Sequence, residues 1–360
     1  MRRFLGFVRK ERLYLLLILF ILVVNAIVLI PSGDRTKARK AAAVETVKTA
    51  TPGSSAKTIA AKVEAARRAE VNKVFVENQK LAVVFGLTSL LIIVILLLGI
   101  AIDVMLAAWR FSKKELDIST YKPQTVRWGV WDVAKVIILF IFFGYIFIMI
   151  ESVLVRVCPL IKDDNFRMIF NSSVLDILGV VLIFYFTIVE HKEKLAAVGL
   201  SLKNFSRNVF YGIVGYIAII PILIGILAAI ALFVNMIQYV PPKQPVVELF
   251  LKEKNVTFLF YTSIFAAIFG PMIEELFFRG FMYNAFKKRV GIFWAMFITA
   301  ATFALLHAHA VGFLPIMVLG LLLAYLYEKT GTLVSSMTVH ITHNLSMVFL
   351  VFLVKQLGVG

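Results

Sequence analysis

Residues 81–109 read LAVVFGLTSLLIIVILLLGIAIDVMLAAW, an unbroken apolar run whose one charge is Asp103. About 20 apolar residues in a helix cross the hydrocarbon of a bilayer, so this run is long enough to span one and has no polar face to turn toward water. Eight further stretches have the same character: residues 13–30, 133–155, 174–189, 209–234, 258–286, 292–306, 313–327 and 333–353. The expected fold is all-α, a polytopic transmembrane helical bundle of about eight or nine spans.

Composition agrees. The 360 residues are 61% hydrophobic and 16% charged, with a mean hydropathy of +0.91, whereas soluble domains hold about 45–50% apolar and about 25% charged residues. A soluble globular domain is excluded. The chain has one cysteine, Cys158, and no Cys-x-x-Cys pair, so neither an intramolecular disulfide nor a thiolate zinc site is expected.

The net charge of +17 comes from 38 Lys and Arg against 21 Asp and Glu. These basic residues flank the apolar runs instead of gathering with aromatics on one surface, which points to anionic lipid and away from nucleic acid. Lys and Arg near span ends are retained in the cytoplasm. With the N-terminus inside, inner segments carry 18 basic residues and outer segments 7, leaving aside the loop over residues 32–80, which carries 11. The N-terminus is therefore expected to be cytoplasmic.

Four regions are expected. Residues 1–30 form a basic N-terminus and a first transmembrane anchor, too long an apolar run for a cleaved signal peptide. Residues 31–80 form a charged loop, helical in part, in which Ile59, Val63 and Ala66 give a modest apolar stripe. Residues 81–257 supply scaffold helices, with Pro221 expected to kink one of them. Their polar positions Asp103, Asp132, Lys135, Glu151 and Asp176 are read as lying near helix ends, where interfacial solvation makes them inexpensive. Residues 258–354 hold the residues with chemistry.

An ionisable group well inside a span costs several kcal/mol and marks function by default. Residues 274–279 contain three: Glu274, Glu275 and Arg279. Side chains four apart share a helix face, so Glu275 and Arg279 can pair, while Glu274 is turned about 100° away and needs a partner elsewhere. Upstream, Gly270-Pro271 is expected to kink the span or restart it with proline in the first turn. Four of the five histidines, His307, His309, His340 and His343, fall within the last spans. Phe303 with His307, and His340 with Asn344, again stand four apart. A Phe beside a His suits an apolar wall for a substrate, and a His above an Asn presents two aligned hydrogen-bonding groups.

These residues resemble the CPBP family, the CAAX protease and bacteriocin-processing group of intramembrane glutamate proteases. Glu274-Glu275-Leu276-Phe277-Phe278-Arg279 matches its EExxxR motif, Phe303 to His307 its FxxxH motif, and His340 to Asn344 its HxxxN motif. The resemblance implies an intramembrane endopeptidase in a bacterial cytoplasmic membrane, acting on a membrane-anchored or lipidated peptide. It implies that Glu274 and His307 activate water and that His340 and Asn344 bind the oxyanion, with Glu275, Arg279 and Phe303 in support and no cofactor. His309 and His343 fall outside the motifs and are read as supporting or structural. Two other readings stay open: a non-catalytic scaffold or bacteriocin-immunity protein of the same superfamily, and a zinc-dependent hydrolase using two His and one Glu, although no H-E-x-x-H run is present.

Overall fold

The computed structural model describes residues 2–29, 71, 73–111, 125–157, 162–239, 241 and 245–357. Most of the expected charged loop, and Cys158, lie outside the described residues. Among the described residues every extended element is helical: α1 (Arg2–Leu29), α2 (Gln79–Phe111), α3 (Val130–Val157), α4 (Asp164–Phe184), α5 (Phe205–Met236), α6 (Pro245–Lys252), α7 (Val256–Ile264), α8 (Gly270–Glu275), α9 (Asn284–Leu306), α10 (Phe313–Thr330) and α11 (Leu333–Gln356). The chain is a multi-pass integral membrane protein, with seven runs among the described residues long and apolar enough to cross a bilayer.

Of the nine expected stretches, the first lies in α1, which is not among the seven, and two share a single run. The sequence divides residues 258–306 into two spans, whereas hydrogen bonding makes Val256–Leu306 one run. Inside it Gly291 adopts φ 80°, ψ 175°, a left-handed conformation that costs glycine little because it has no Cβ. The chain folds back there, since the rings of Phe278 and Phe303, on opposite sides of Gly291, lie 5.2 Å apart.

Two features of the run follow from its sequence. Pro271 has no N–H to give to the turn before it. The helix neither breaks nor restarts; it widens over Phe265–Phe269 into i→i+5 hydrogen bonding, and Gly270 N donates to the carbonyl of Phe265. A second widened stretch, Leu276–Tyr283, follows α8 directly. Wide turns leave carbonyls to outside donors, and Trp128 Nε1 takes one, donating to Phe281 O at 2.9 Å while its indole stacks on the Phe281 ring at 5.2 Å. Lys288 Nζ completes the clamp with bonds to the carbonyls of Val126 (2.8 Å) and Trp128 (3.0 Å).

α10 packs against α5, α9 and α11, and α5 packs against α11. α5 passes through Pro221 with helical backbone throughout, so the expected kink is not a break in the helix. Its Gly212 lets α11 come close: a Cβ there would stand 2.6 Å from Thr338 Cβ and 2.8 Å from the Ser335 carbonyl. Small residues at such crossings are how membrane helices gain dispersion contact without a hydrophobic driving force. α2 meets α5 the same way at Gly99, where a Cβ would lie 2.5 Å from Ile217 O and 2.7 Å from the Pro221 ring.

The outer helices carry ion pairs where the sequence suggested solvated ends. Glu11 of α1 is buried and faces Lys135 of α3 at 3.4 Å. Asp132 accepts from Gly129 N at 2.8 Å and lies 3.2 Å from His191 Nε2. Glu151 is buried, accepting from Asn171 at 3.1 Å with Arg167 at 3.4 Å.

Candidate active site

The expected pairing of Glu275 with Arg279 is present and completely buried. Arg279 Nη1 donates to Glu275 Oε1 at 2.7 Å, with neither side chain exposed. The other end of the guanidinium is held by α10, where Nη2 donates to Gly320 O at 3.1 Å. Its carbon lies over the Phe303 ring, 4.6 Å from the centroid, a cation–π contact strengthened by desolvation. Three helices thus converge on one guanidinium.

His340 joins this network, a link that its spacing in the sequence did not suggest. Its Nδ1 lies 3.0 Å from Glu275 Oε1. Since Arg279 keeps Glu275 anionic and an ionised carboxylate only accepts, Nδ1 carries the proton and donates. The other ring nitrogen, Nε2, is 3.5 Å from Glu274 Oε2. One imidazole from α11 therefore stands between the two neighbouring acids of α8. Their environments differ: the Glu275 side chain is sealed, while that of Glu274 is 39% exposed and that of His340 only 3%.

Phe303 is the apolar hub of the cluster. Its ring meets those of His307 (4.7 Å), His340 (5.5 Å) and Phe278 (5.2 Å) edge to face. At 1% exposed it orients the two imidazoles and the guanidinium and leaves no open wall for a substrate, which corrects that expectation. His307 caps the end of α9, where the last carbonyls lack helical donors, and its Nδ1 lies 2.8 Å from Phe303 O. A carbonyl only accepts, so Nδ1 carries the proton and Nε2 of the neutral ring presents a lone pair. His307 is exposed.

Asn344, one turn beyond His340, donates from Nδ2 to Ala266 O at 2.9 Å. The wide turn explains why that oxygen is available. Gly270 N bonds to Phe265 O, and the next residue, Pro271, has no hydrogen to offer. An amide nitrogen has two hydrogens, so one remains for another acceptor. The Gly-Pro pair was visible in sequence, but nothing along the chain tied it to Asn344.

The two remaining histidines sit elsewhere. His309 accepts from Gly312 N at 2.9 Å, ordering the entry to α10. His343 packs edge to face on Tyr216 of α5 at 6.0 Å. Among the described residues no group of three or more His, Cys, Asp or Glu is arranged to hold a metal ion.

Asp176 of α4 was assigned to a helix end, and the structure places it mid-span. It stands ten residues after Phe166 and fourteen before Glu190, the limits of an apolar run, which is roughly 15 Å and 21 Å at about 1.5 Å per residue. α4 packs on α8 and on the widened stretch that follows it.

Residues 255–346 match a family model described as Rce1-like, type II CAAX prenyl endopeptidase Rce1-like. No curated protein and no solved structure matches the chain significantly. The matched segment contains every residue of the Glu275–Arg279–His340 network together with Glu274, His307 and Asn344, and the match supports CPBP family membership.

Proposed function

We propose that the protein is an intramembrane endopeptidase that hydrolyses a peptide bond of a lipidated, membrane-anchored substrate, with Glu274 and His307 activating water. The observation that carries this reading is the pair of unlike acids around His340: Glu275 is neutralised by Arg279 and sealed, while Glu274 remains open beside the ring. A sealed, paired carboxylate holds geometry. An open one is free to accept a proton from water and pass it to the leaving amine.

His307 presents Nε2 as an acceptor toward the same water, its tautomer set by the Phe303 carbonyl. His340 Nε2 and the second N–H of Asn344 are the donors for the developing oxyanion, each contributing on the order of 3 kcal/mol to the transition state. For Nε2 to donate while Nδ1 bonds to Glu275, the ring acts as imidazolium, with Glu274 and Glu275 as flanking counter-charges. Both acids then have a defined part: Glu275 orients the ring and Glu274 reacts. The family match supports the protease class and the membrane-embedded setting. The surplus of Lys and Arg on inner segments supports a cytoplasmic N-terminus.

The test is cleavage of a prenylated CAAX-type peptide by the full chain in lipid vesicles. Glu274→Gln and His307→Ala are expected to lose cleavage by at least about 100-fold while keeping the wild-type unfolding transition. Undiminished cleavage by either variant overturns the assignment. A wild-type protein that cuts no lipidated peptide, yet whose motif variants keep full biological function, would establish the scaffold reading instead.

A further inference from the structure

The segment that joins the end of α4 to α5 is drawn into the bundle. Residues Leu195–Val198 form one tight helical turn, Ala197 and Val198 are buried, and the turn closes on Gly199 at φ 80°, ψ 7°. That left-handed conformation costs glycine little, and a Cβ there would stand 2.5 Å from Cε2 of Tyr327 in α10. Asn208, near the start of α5, ties down the same neighbourhood: its Nδ2 donates to Lys203 O and to Thr332 Oγ1, both at 3.0 Å.

Two successive carbonyls at the end of this turn meet the two arms of the site. Gly199 O accepts from Leu333 N at 2.9 Å; Leu333 is the first residue of α11, where an N–H has no partner within its own helix. Val198 O lies against the widened stretch Leu276–Tyr283, and a Cβ on Gly280 would come within 2.6 Å of it. Gly280 directly follows Arg279 in the chain. His340 lies two turns beyond Leu333 and shares its helix face. Two consecutive peptide groups therefore stand between the stretch that carries Arg279 and the helix that carries His340.

We propose that Val198 and Gly199 are positioning residues of the site: their carbonyls form a rigid spacer between the widened stretch and α11 that sets the approach of His340 Nδ1 to Glu275 Oε1. They act through those two groups. The approach is 3.0 Å, between residues 65 positions apart, so it depends on how the two arms are set and not on either helix alone. A hydrogen bond of this kind spans about 2.7–3.2 Å, and a shift of about 0.5 Å removes it. A side chain in the gap would yield by changing rotamer; backbone carbonyls held in a tight turn do not. Glycine at 280 and the left-handed glycine at 199 are then both requirements of contact with the spacer. The part of the spacer in cleavage rests on the peptidase reading; its hold on the His340–Glu275 bond does not.

The experiment is nuclear magnetic resonance of the full chain, carrying isotope-labelled histidine, in lipid nanodiscs, following the Nδ1–H proton of His340, with cleavage of a prenylated CAAX-type peptide measured alongside. Gly280→Ala, whose methyl meets Val198 O, and Gly199→Ala, strained at φ 80°, are each expected to shift or abolish the His340 resonance. Both are expected to lower kcat by at least about tenfold with KM changed by less than about twofold, while still unfolding cooperatively. Gly225→Ala on α5, where an added Cβ meets nothing within 4 Å, is expected to change neither. An unmoved His340 resonance in either folded glycine variant, or an equal shift in Gly225→Ala, overturns the proposal. If neither glycine variant folds, Leu333 decides: proline is tolerated at the first helical position but removes the N–H that Gly199 O accepts, whereas alanine keeps it. A larger shift in Leu333→Pro than in Leu333→Ala is expected, and equal shifts overturn the spacer. A resonance that responds as expected in a protein that cleaves nothing keeps the spacer and removes the peptidase. Loss of cleavage in Glu274→Gln with a resonance unmoved in Gly280→Ala does the reverse.

Discussion

α2 and α10 are both membrane-spanning helices of one bundle, built to opposite rules. In the most apolar window of α2, 6% of residues are buried, against 44% in α10. α2 is almost wholly aliphatic, and Leu87, Leu90, Leu91 and Leu97 are each more than half exposed; its one buried residue is Gly99. α10 and its neighbours instead enclose Glu275, Arg279, Asn284, Thr299, Thr330 and, at the turn into α11, Thr332. Where lipid is the solvent, apolar side chains gain nothing by moving inward, so polarity and small size mark the interior. In this protein hydropathy finds the spans, and the exceptions to hydropathy find the site.

That contrast is broken most severely at Arg279. Arg279→Leu leaves Glu275 as an unpaired buried charge, and the expected loss is about 3–5 kcal/mol, read as a collapse of the unfolding transition in detergent or as failure to accumulate in the membrane. A variant as stable as wild type would mean that the network is dispensable for folding. Gly99→Val tests the one point where α2 behaves like an inner helix. The new side chain meets the Ile217 carbonyl and the Pro221 ring, and about 1–3 kcal/mol is expected from the overpacking, measured by the same transition. Leu90→Ala, on the lipid face of the same helix, is expected to change stability by less than about 0.5 kcal/mol. A cost for Leu90→Ala equal to that of Gly99→Val would show α2 to be packed against protein on both sides.

What was legible in the sequence was what is local along a helix. The spans follow from runs of apolar residues, and the contact of Glu275 with Arg279 follows from their spacing of four. Proline at 271 signalled an irregular helix, although the wide turn preserves continuity instead of breaking it. What was not legible crosses between helices. His340 reaches Glu275 over 65 positions and Asn344 reaches Ala266 over 78, and no periodicity in either helix encodes such a pairing. Asp176 was misplaced for a related reason. Apolar residues 174–189 seemed to begin just before it, but α4 starts at Asp164, capped by Asp163 accepting from Phe166 N, so the membrane run extends a further two turns and places the acid near mid-depth.

The reversal at Gly291 has a metric consequence. Glu274 lies 17 residues before it and His307 16 after, so the two arms of the hairpin are nearly equal in length and return these side chains to a similar depth. Gly291 acts as a fulcrum, and the interval between the first two motifs is a ruler laid along both arms. One residue added between Gly291 and Phe303 would shift everything beyond it by about 1.5 Å and turn it by about 100°, so that Phe303 and His307 together would leave their places beside Arg279 and His340 although no motif residue had changed. The spacing between the motifs is as much a part of the site as the motifs themselves.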